Sequence, residues 1–285
     1  MRFLQKMAFA FGSAALVLFA VPAHAAIVFN YNDFASCVGL QINGNAACTG
    51  GVLRVTPANF GQSGSAFSTT QIPLGTAASF STFFSFRITG SAFGGADGIV
   101  FVIQPVASTL GGAGGGIGYA GIPTSLGVEF DTWDNGPGSG DANASHVDID
   151  LNGSVNSVQT APVAPALDDG NVWYAWVDYD GATLELRLSQ APTRPAGAVL
   201  TRAVNLSSIL GTTSAFVGFT SGTGAAFANH DILTWRFDNA FNPIGGPPAG
   251  APTQPIPTLS DAALLLLACL AAVIGLLTLQ GRRRA

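Results

Sequence analysis

Val128-Glu129-Phe130-Asp131-Thr132-Trp133-Asp134-Asn135, followed by Asp141 and His146, is the stretch on which the reading of this 285-residue chain turns. On a strand, successive side chains alternate, so Glu129, Asp131 and Trp133 are expected on one face, two carboxylates beside an aromatic ring. Neighbouring carboxylates repel, and one of them holds a proton unless a cation neutralises the site. Calcium takes roughly six to eight oxygens, which Asp131, the Trp133 carbonyl, the Asn135 side chain and Asp141 begin to supply. Glu129, Asp131, Asp141 and His146 make a second set containing a nitrogen, suited to a transition metal such as manganese. A solvated acidic loop is the plainer alternative, but it explains neither the alternation nor the placing of Asn135, Asp141 and His146.

Around this segment the patterning is that of strands. Phe80, Thr82, Phe84, Phe86 and Ile88 alternate with Ser79, Ser81, Phe83, Ser85 and Arg87, the period of two expected when one sheet face is buried. From Val172 to Leu188 two strands flank an Asp180-Gly181 turn, a strong hairpin signal, with Leu184, Leu186 and Leu188 opposite Glu185 and Arg187. Further strands are expected at 99–103, 126–131, 146–151, 216–220 and 232–237. No convincing amphipathic helix stands out. Strands separated by glycine-rich turns point to an all-β protein, two antiparallel sheets packed as a sandwich.

The two ends read differently from the middle. Arg2 and Lys6 precede an apolar run and an Ala23-His24-Ala25 cleavage-like site, so residues 1–25 are expected to be a secretory signal peptide. Residues 26–242 are expected to be one domain, which is ordinary for a sandwich of that length. Residues 243–255 are a Pro/Gly-rich linker. In the segment 256–285, Ala262 to Leu279 form an uncharged apolar stretch of 18 residues, near the minimum for a transmembrane helix, and Arg282-Arg283-Arg284 follow. That basic cluster is expected to stay cytoplasmic with the folded part outside.

Without the two ends, 6 of the 11 Lys and Arg remain, none of them lysine, against 15 of the 16 Asp and Glu, a balance near −9. Such an acidic domain argues against a nucleic-acid partner and is compatible with divalent cations or neutral ligands. Cys37 and Cys48 lie in a Gly/Asn/Ala-rich stretch that suggests a loop, and an oxidising compartment allows them to form a disulfide. Cys269 reads as a small apolar residue of the tail, with lipidation as the alternative.

The run 128–135 with Asp141 and His146 resembles the metal loop of legume-type (L-type) lectins, which have a concanavalin A-like β-sandwich. Three more segments resemble that family in the same order: Ala96-Asp97-Gly98-Ile99-Val100-Phe101, the glycine-rich 111–118, and Phe216 to Gly224 leading to His230-Asp231-Ile232-Leu233-Thr234-Trp235. The resemblance implies a carbohydrate-binding protein holding calcium and a transition metal through the residues above. It implies a sugar-binding carboxylate at Asp97 after a cis Ala96-Asp97 peptide, a loop that bound calcium would hold in place. Gly115 or Gly116 would offer a backbone N–H to the sugar. Asn135 would serve calcium with its oxygen and the sugar with its nitrogen, and Trp133 would stack on the ring or else be a core tryptophan. The segment 224–229, including Ala225, Ala226 and Phe227, matches the family's specificity loop; with no charge in it, Phe227, Asn229 and backbone groups are the expected contacts.

Three positions depart from a simple carry-over. Asp148 shares the expected face of His146, where it would orient the imidazole or be merely solvated. Either Ser154 or Ser157 would support the second metal through water. His230 reads as structural, with an edge contact to the site as the alternative.

Ile256-Pro257-Thr258-Leu259, the apolar stretch and the arginines resemble the IPTL variant of C-terminal sorting signals processed by exosortases in Gram-negative bacteria. That implies export to the cell surface or extracellular matrix, with inner-membrane anchoring through the C-terminal helix until an exosortase-like enzyme acts. Two other readings compete. One is a glycoside hydrolase on the same sandwich using Glu129 and Asp134, although its pattern places a glutamate where Asp134 stands. The other is a structural surface protein that binds no sugar. No Ser-His-Asp constellation or phosphate-cradling motif is legible, so no catalytic residue is assigned. Whether the sandwiches pair as an oligomer, and which sugar they take, the residues leave open.

Overall fold

The computed structural model describes residues 27–109, 116–136 and 141–246. The expected signal peptide, linker residues 247–255 and the 256–285 tail therefore lie outside the described residues, as do Gly115 and most of the glycine-rich run. Among the described residues no helix is long and apolar enough to cross a membrane.

The chain forms β1 (Ile27–Tyr31), β2 (Leu40–Gly44), β3 (Ala47–Thr49), β4 (Val52–Thr56), β5 (Ser63–Ser68), β6 (Ile72–Pro73), β7 (Phe80–Ala92) and β8 (Gly98–Gln104). It continues with β9 (Leu126–Asp131), β10 (His146–Leu151), β11 (Gln159–Pro162), β12 (Trp173–Tyr179), β13 (Thr183–Ser189) and β14 (Leu200–Ala203). A short helix α1 (Leu206–Leu210), β15 (Ser214–Gly222) and β16 (Phe227–Asp238) complete it. One sheet runs β14-β13-β12-β7-β16-β4-β3 with β1 on β16; the other runs β11-β10-β9-β8-β15-β5-β2 with β6 on β15. The expected sandwich of antiparallel sheets is what forms, and every expected strand lies within an observed one. Helix α1 is too short to show an amphipathic period; the Asn205 side chain caps it by accepting the Ser208 N–H.

The core between the sheets is aromatic. Phe84 of β7 meets Phe130, Phe219 and Phe101 of the facing sheet with ring centroids 5.5, 5.0 and 6.0 Å apart, and Trp235 packs edge-on to Phe219. On β9 and β10, Val128, Phe130, Val147 and Ile149 point into this core. The alternate residues Glu129, Asp131, His146 and Asp148 therefore point out of the sandwich. They are nevertheless buried.

One expectation is corrected on β7. Phe80, Thr82, Phe84, Phe86 and Ile88 are buried as read, but Ser81, Phe83 and Ser85 are buried too. The outer face of this sheet is covered, because Ile244 beyond the last strand packs on Phe83 and Trp176. A strand wrapped on both faces loses the amphipathic contrast that period-two reading relies on. The outer face of the other sheet is covered similarly: Ile117, Tyr119 and Ile122 close over Val100, Val102 and Phe67. Gly127 makes room for this lid, since a Cβ there would sit 3.0 Å from the Tyr119 ring and from Val100.

Cys37 and Cys48 form the expected disulfide. The stretch between them is more ordered than a loop, since it includes β2 and leads into β3, strands that belong to different sheets. The bond closes a loop of sequence separation 11. Replacing Cys48 with Ser is expected to lower unfolding free energy by about 2–3 kcal/mol through the freed chain entropy. Urea titration of both proteins checks this; an unchanged midpoint would mean that the bond contributes nothing.

Candidate functional site

The antiparallel pairing of β9 with β10 sets Asp131 opposite His146 and Glu129 opposite Asp148, with Asp150 opposite Gly127. All five polar side chains share one face, and none is more than 3% exposed. Nδ1 of His146 lies against the Asn143 carbonyl oxygen, so that nitrogen carries a proton and donates it. Nε2 then faces oxygens of Asp148, Asp141 and Asp131 at 3.0, 3.7 and 3.9 Å. None of these approaches is aligned as a hydrogen bond, which leaves Nε2 unsatisfied along with Glu129 Oε2 and Asp148 Oδ1. A lone pair aimed at carboxylates is repulsive, so a cation or a second proton has to occupy that space.

The titration of these groups shows the same stress. Burial by itself would lower the His146 pKa, but the Asp148, Asp131 and Asp141 carboxylates raise it to about 9. Burial, then contact with Asp150 and Asp131, pushes Glu129 well above the usual carboxyl range. Burial lifts Asp131 to about 7 despite opposing contacts from Glu129, the Trp133 N–H and His146. Asp150 is raised chiefly by burial, with Glu129 and Ser157 opposing.

A cleft of about 210 Å³ opens onto this array, lined by Glu129, Asp131, Asn135, Asp141, Ile117, Val155 and Asn156. Asp131 accepts the Trp133 N–H at 2.5 Å, and Asp141 accepts both the backbone N–H and the side-chain amide of Asn135 at 2.7 and 3.1 Å. The structure thus gathers Glu129, Asp131, Asn135, Asp141 and His146 in one place. Among the described residues no group of three or more His, Cys, Asp or Glu side chains is arranged to hold a metal ion as it stands; residues 137–140 of the loop lie outside that description. The donor chemistry fits a cation, because carboxylate oxygens of Glu129, Asp131 and Asp141 line the cleft, and Glu129 Oε2 and the adjacent His146 Nε2 are buried without a partner.

Asp97 sits one strand away, after a cis Ala96-Asp97 peptide. Its N–H donates to the Gly222 carbonyl at 3.0 Å, and its own carbonyl accepts the N–H and hydroxyl of Thr132 at 2.9 and 3.1 Å. Its carboxylate Oδ2 is buried without a partner, and burial raises its pKa to about 6. Thr132 is the link that motif reading missed: it joins Asp97 directly to the acidic loop, and only the fold shows that.

Several expected positions are corrected. Strand β9 stops at Asp131, so Trp133 does not share the face of Glu129; it is a third exposed, and its ring rests against Gly94, where a Cβ would sit 3.2 Å away. The core reading of Trp133 is thereby excluded. Phe227 and Asn229 belong to β16 and not to a loop. Asn229 is engaged in structure, its Oδ1 accepting the Ala58 N–H at 2.8 Å, and the Ala226 side chain is buried while Ala225 is exposed. Gly116 closes a turn, its carbonyl accepting the N–H groups of Tyr119 and Ala120.

Asp148 approaches Nε2, the nitrogen that would face a metal, and not the Nδ1 that an orienting partner would hold. Ser157 is the serine that reaches Asp150, whereas Ser154 accepts the Asn156 N–H. His230 is fully buried against Thr56, 2.8 Å from Nδ1, and burial drops its pKa to about 3, a neutral structural histidine. Asp134 lies on the exposed turn, accepting the Gly136 N–H, and does not line the cleft, so the Glu129/Asp134 pairing of the hydrolase reading is not assembled.

A raised folded-state histidine pKa contributes stability that is present below the unfolded value, about 6.5, and lost as pH rises through the folded value of about 9. The chelated protein is therefore expected to lose melting temperature between pH 6.5 and 9, and the slope should shrink in His146→Gln. A flat profile in the wild type would show that His146 holds no extra proton.

Comparison with known proteins agrees with this geometry. A sequence model described as "Legume lectin domain" matches residues 26–246, and one described as "IPTL-CTERM motif" matches residues 254–284. The L-type lectin-domain containing receptor kinase VIII.1 of Arabidopsis thaliana is 35% identical over 214 residues, covering 71% of this chain and 28% of that protein. The bark lectin of Styphnolobium japonicum is 36% identical over 175 residues, covering 57% of this chain and 62% of its own length. The chain thus spans less than two thirds of these relatives' own length, and under a third of that receptor kinase. These relatives are plant proteins, and a bacterial source is not among what they show. Among solved structures, a peanut lectin superposes with TM-score 0.63 at 29% identity, covering 78% of this chain and 99% of that one. The basic winged bean lectin with Tn-antigen gives 0.62 at 30% identity, covering 74% and 96%. With the family's sequence model matched across the whole sandwich, the chain belongs to the legume lectin domain family.

Proposed function

We propose that this domain binds carbohydrate at Asp97, in a site whose shape depends on calcium held by the neighbouring acidic loop. The observation that carries the reading is the Asp97 carboxylate: its backbone is pinned from both sides by Gly222 and Thr132, while Oδ2 is left without a partner. A buried acceptor without a donor costs free energy that a ligand hydroxyl recovers. Trp133, whose ring rests against Gly94, and Phe227, which follows Gly224, would offer aromatic surface suited to the apolar side of a sugar ring. Ala225, exposed beside them, and the backbone of Gly115 or Gly116 complete the proposed contacts.

Asp131, Asn135, Asp141 and the Trp133 carbonyl would hold calcium, and Glu129, Asp131, Asp141 and His146 a transition metal such as manganese. The cations would supply the positive charge that the carboxylates lack. The chain's own part is to keep those oxygens on a rigid pair of strands and to transmit their position to Asp97 through Thr132. The domain acts by binding and not by catalysis, as its family relationship supports.

Similar structures include a Bauhinia forficata lectin in complex with GalNAc and lectin UEA-II complexed with galactose. Galactose and N-acetylgalactosamine are accordingly the first sugars to try. The IPTL-type tail supports export to a cell surface or matrix, membrane-held through the C-terminal segment until an exosortase-like enzyme cuts it. Clustering there would add avidity to a shallow, weak site.

A glycan array probed with and without calcium tests the proposal. Binding should vanish on chelation and return with calcium, and Asp97→Ala should weaken it about a hundredfold, the loss of charged hydrogen bonds worth about 3 kcal/mol, while leaving the fold. Affinity should also fall as pH drops through about 6, where Asp97 takes up a proton. Undiminished binding by Asp97→Ala would contradict the assignment.

A further inference from the structure

Asp148 lies among the proposed metal ligands but belongs to neither set. It stands on β10 two residues after His146, opposite Glu129 on β9 and Thr160 on β11. Its neighbours Val147 and Ile149 are fixed in the core. The Asp148 side chain is 1% exposed, which rules out a solvated surface acid. Of the three carboxylates that face His146 Nε2 it comes nearest, at 3.0 Å against 3.7 Å for Asp141 and 3.9 Å for Asp131.

Simpler roles do not fit this placement. A carboxylate that oriented the imidazole would accept the proton on Nδ1, but that nitrogen is turned to the Asn143 carbonyl. A carboxylate held by ordinary hydrogen bonding would use a neighbouring donor, yet Asp148 Oδ1 and the Thr160 hydroxyl across the ladder are both buried without a partner among the described residues. The approach to Nε2 is not aligned as a hydrogen bond either. What 3.0 Å does match is the spacing of two adjacent ligands on one ion. With bonds of about 2.1 Å, neighbouring corners of an octahedron are about 3.0 Å apart and opposite corners about 4.2 Å. The Asp141 and Asp131 separations fall between those limits. Nε2 itself, on a fully buried ring, is aimed into the group without a partner, so this is more than a cluster of acids.

We infer that Asp148 is a further ligand of the second cation, which brings Glu129, Asp131, Asp141, Asp148 and His146 around one ion. The inference rests on the proposed transition-metal set and extends it by a residue to which the family resemblance gives no metal. Four carboxylates and a single nitrogen make a hard donor set, and five side chains leave one place for water on a six-coordinate ion such as Mn2+. A four-coordinate zinc ion would leave a buried carboxylate unpaired.

Mn2+ titrated into chelator-stripped wild type, Asp148→Asn and Asp148→Ala, with free Mn2+ read from its EPR signal, tests this. Loss of the ligand should weaken the tightest Mn2+ site by about a hundredfold in both variants. The Mn2+ they still hold should carry a second water, so water-proton relaxation per bound ion should rise about twofold over wild type. Should a variant fail to fold, the wild-type water count decides: one supports five protein ligands, and two or more overturns them. Unchanged affinity in the variants, or a tighter site because His146 has lost a competitor, would overturn the role of Asp148 and leave the metal site standing. A weaker site with an unaltered water count would mean that Asp148 acts by charge alone, and would overturn ligation as well. No Mn2+ binding by wild type would overturn the second cation and Asp148 with it.

Discussion

The crowding of like charge on the outer face of β9 and β10 is the constraint to which the rest of the site answers. Glu129, Asp131, Asp148 and Asp150 sit within a few positions of one another, all buried, around a single imidazole. Burial first, and then their mutual repulsion, leaves Glu129 and Asp131 holding protons above the normal carboxyl range, while the carboxylates around the imidazole let it keep its proton to about 9. A stable domain would not gather such groups for packing alone, because apolar residues would fill the space at lower cost. The arrangement is intelligible as one that waits for positive charge.

The sandwich makes that arrangement possible and connects it to the Asp97 carboxylate, the proposed sugar contact. The inward residues of β9 and β10 are locked among the core aromatics, so their outward neighbours have little freedom to separate. Thr132, the first residue after β9, then binds the Asp97 carbonyl twice. A shift in the acidic loop is thus a shift at Asp97. The Ile117–Ile122 segment over Val100 and Val102 keeps the face dry, with Gly127 leaving room for Tyr119. This gives the proposed calcium dependence a structural route that needs no contact between the metal and the sugar.

Much of this was legible in the residues. The alternation at Leu126 to Asp131 and His146 to Leu151 predicted the strands and their outward acids, and the Asp180-Gly181 turn predicted the hairpin of β12 and β13. The paired cysteines were readable from export and parity. What escaped was what spacing does not encode. The burial of Phe83 depends on Ile244, some 160 residues away in sequence, so a period of two could not reveal a strand covered on both sides. Trp133 was read as a continuation of β9, but the strand ends at Asp131 and the ring turns to Gly94. Asn229 looked like a ligand contact until its side chain was seen bonded to Ala58.

Titrating calcium into chelator-stripped protein at pH 8, by calorimetry in two buffers of different ionisation enthalpy, bears most directly on the central claim. Saturable binding accompanied by proton release is the predicted result, since a cation held by Asp131 and Asp141 lowers the proton affinity of the neighbouring His146, which otherwise keeps its proton to about 9. Absence of binding, or binding that releases no proton, would contradict the view that this buried acidic face is built for a metal ion.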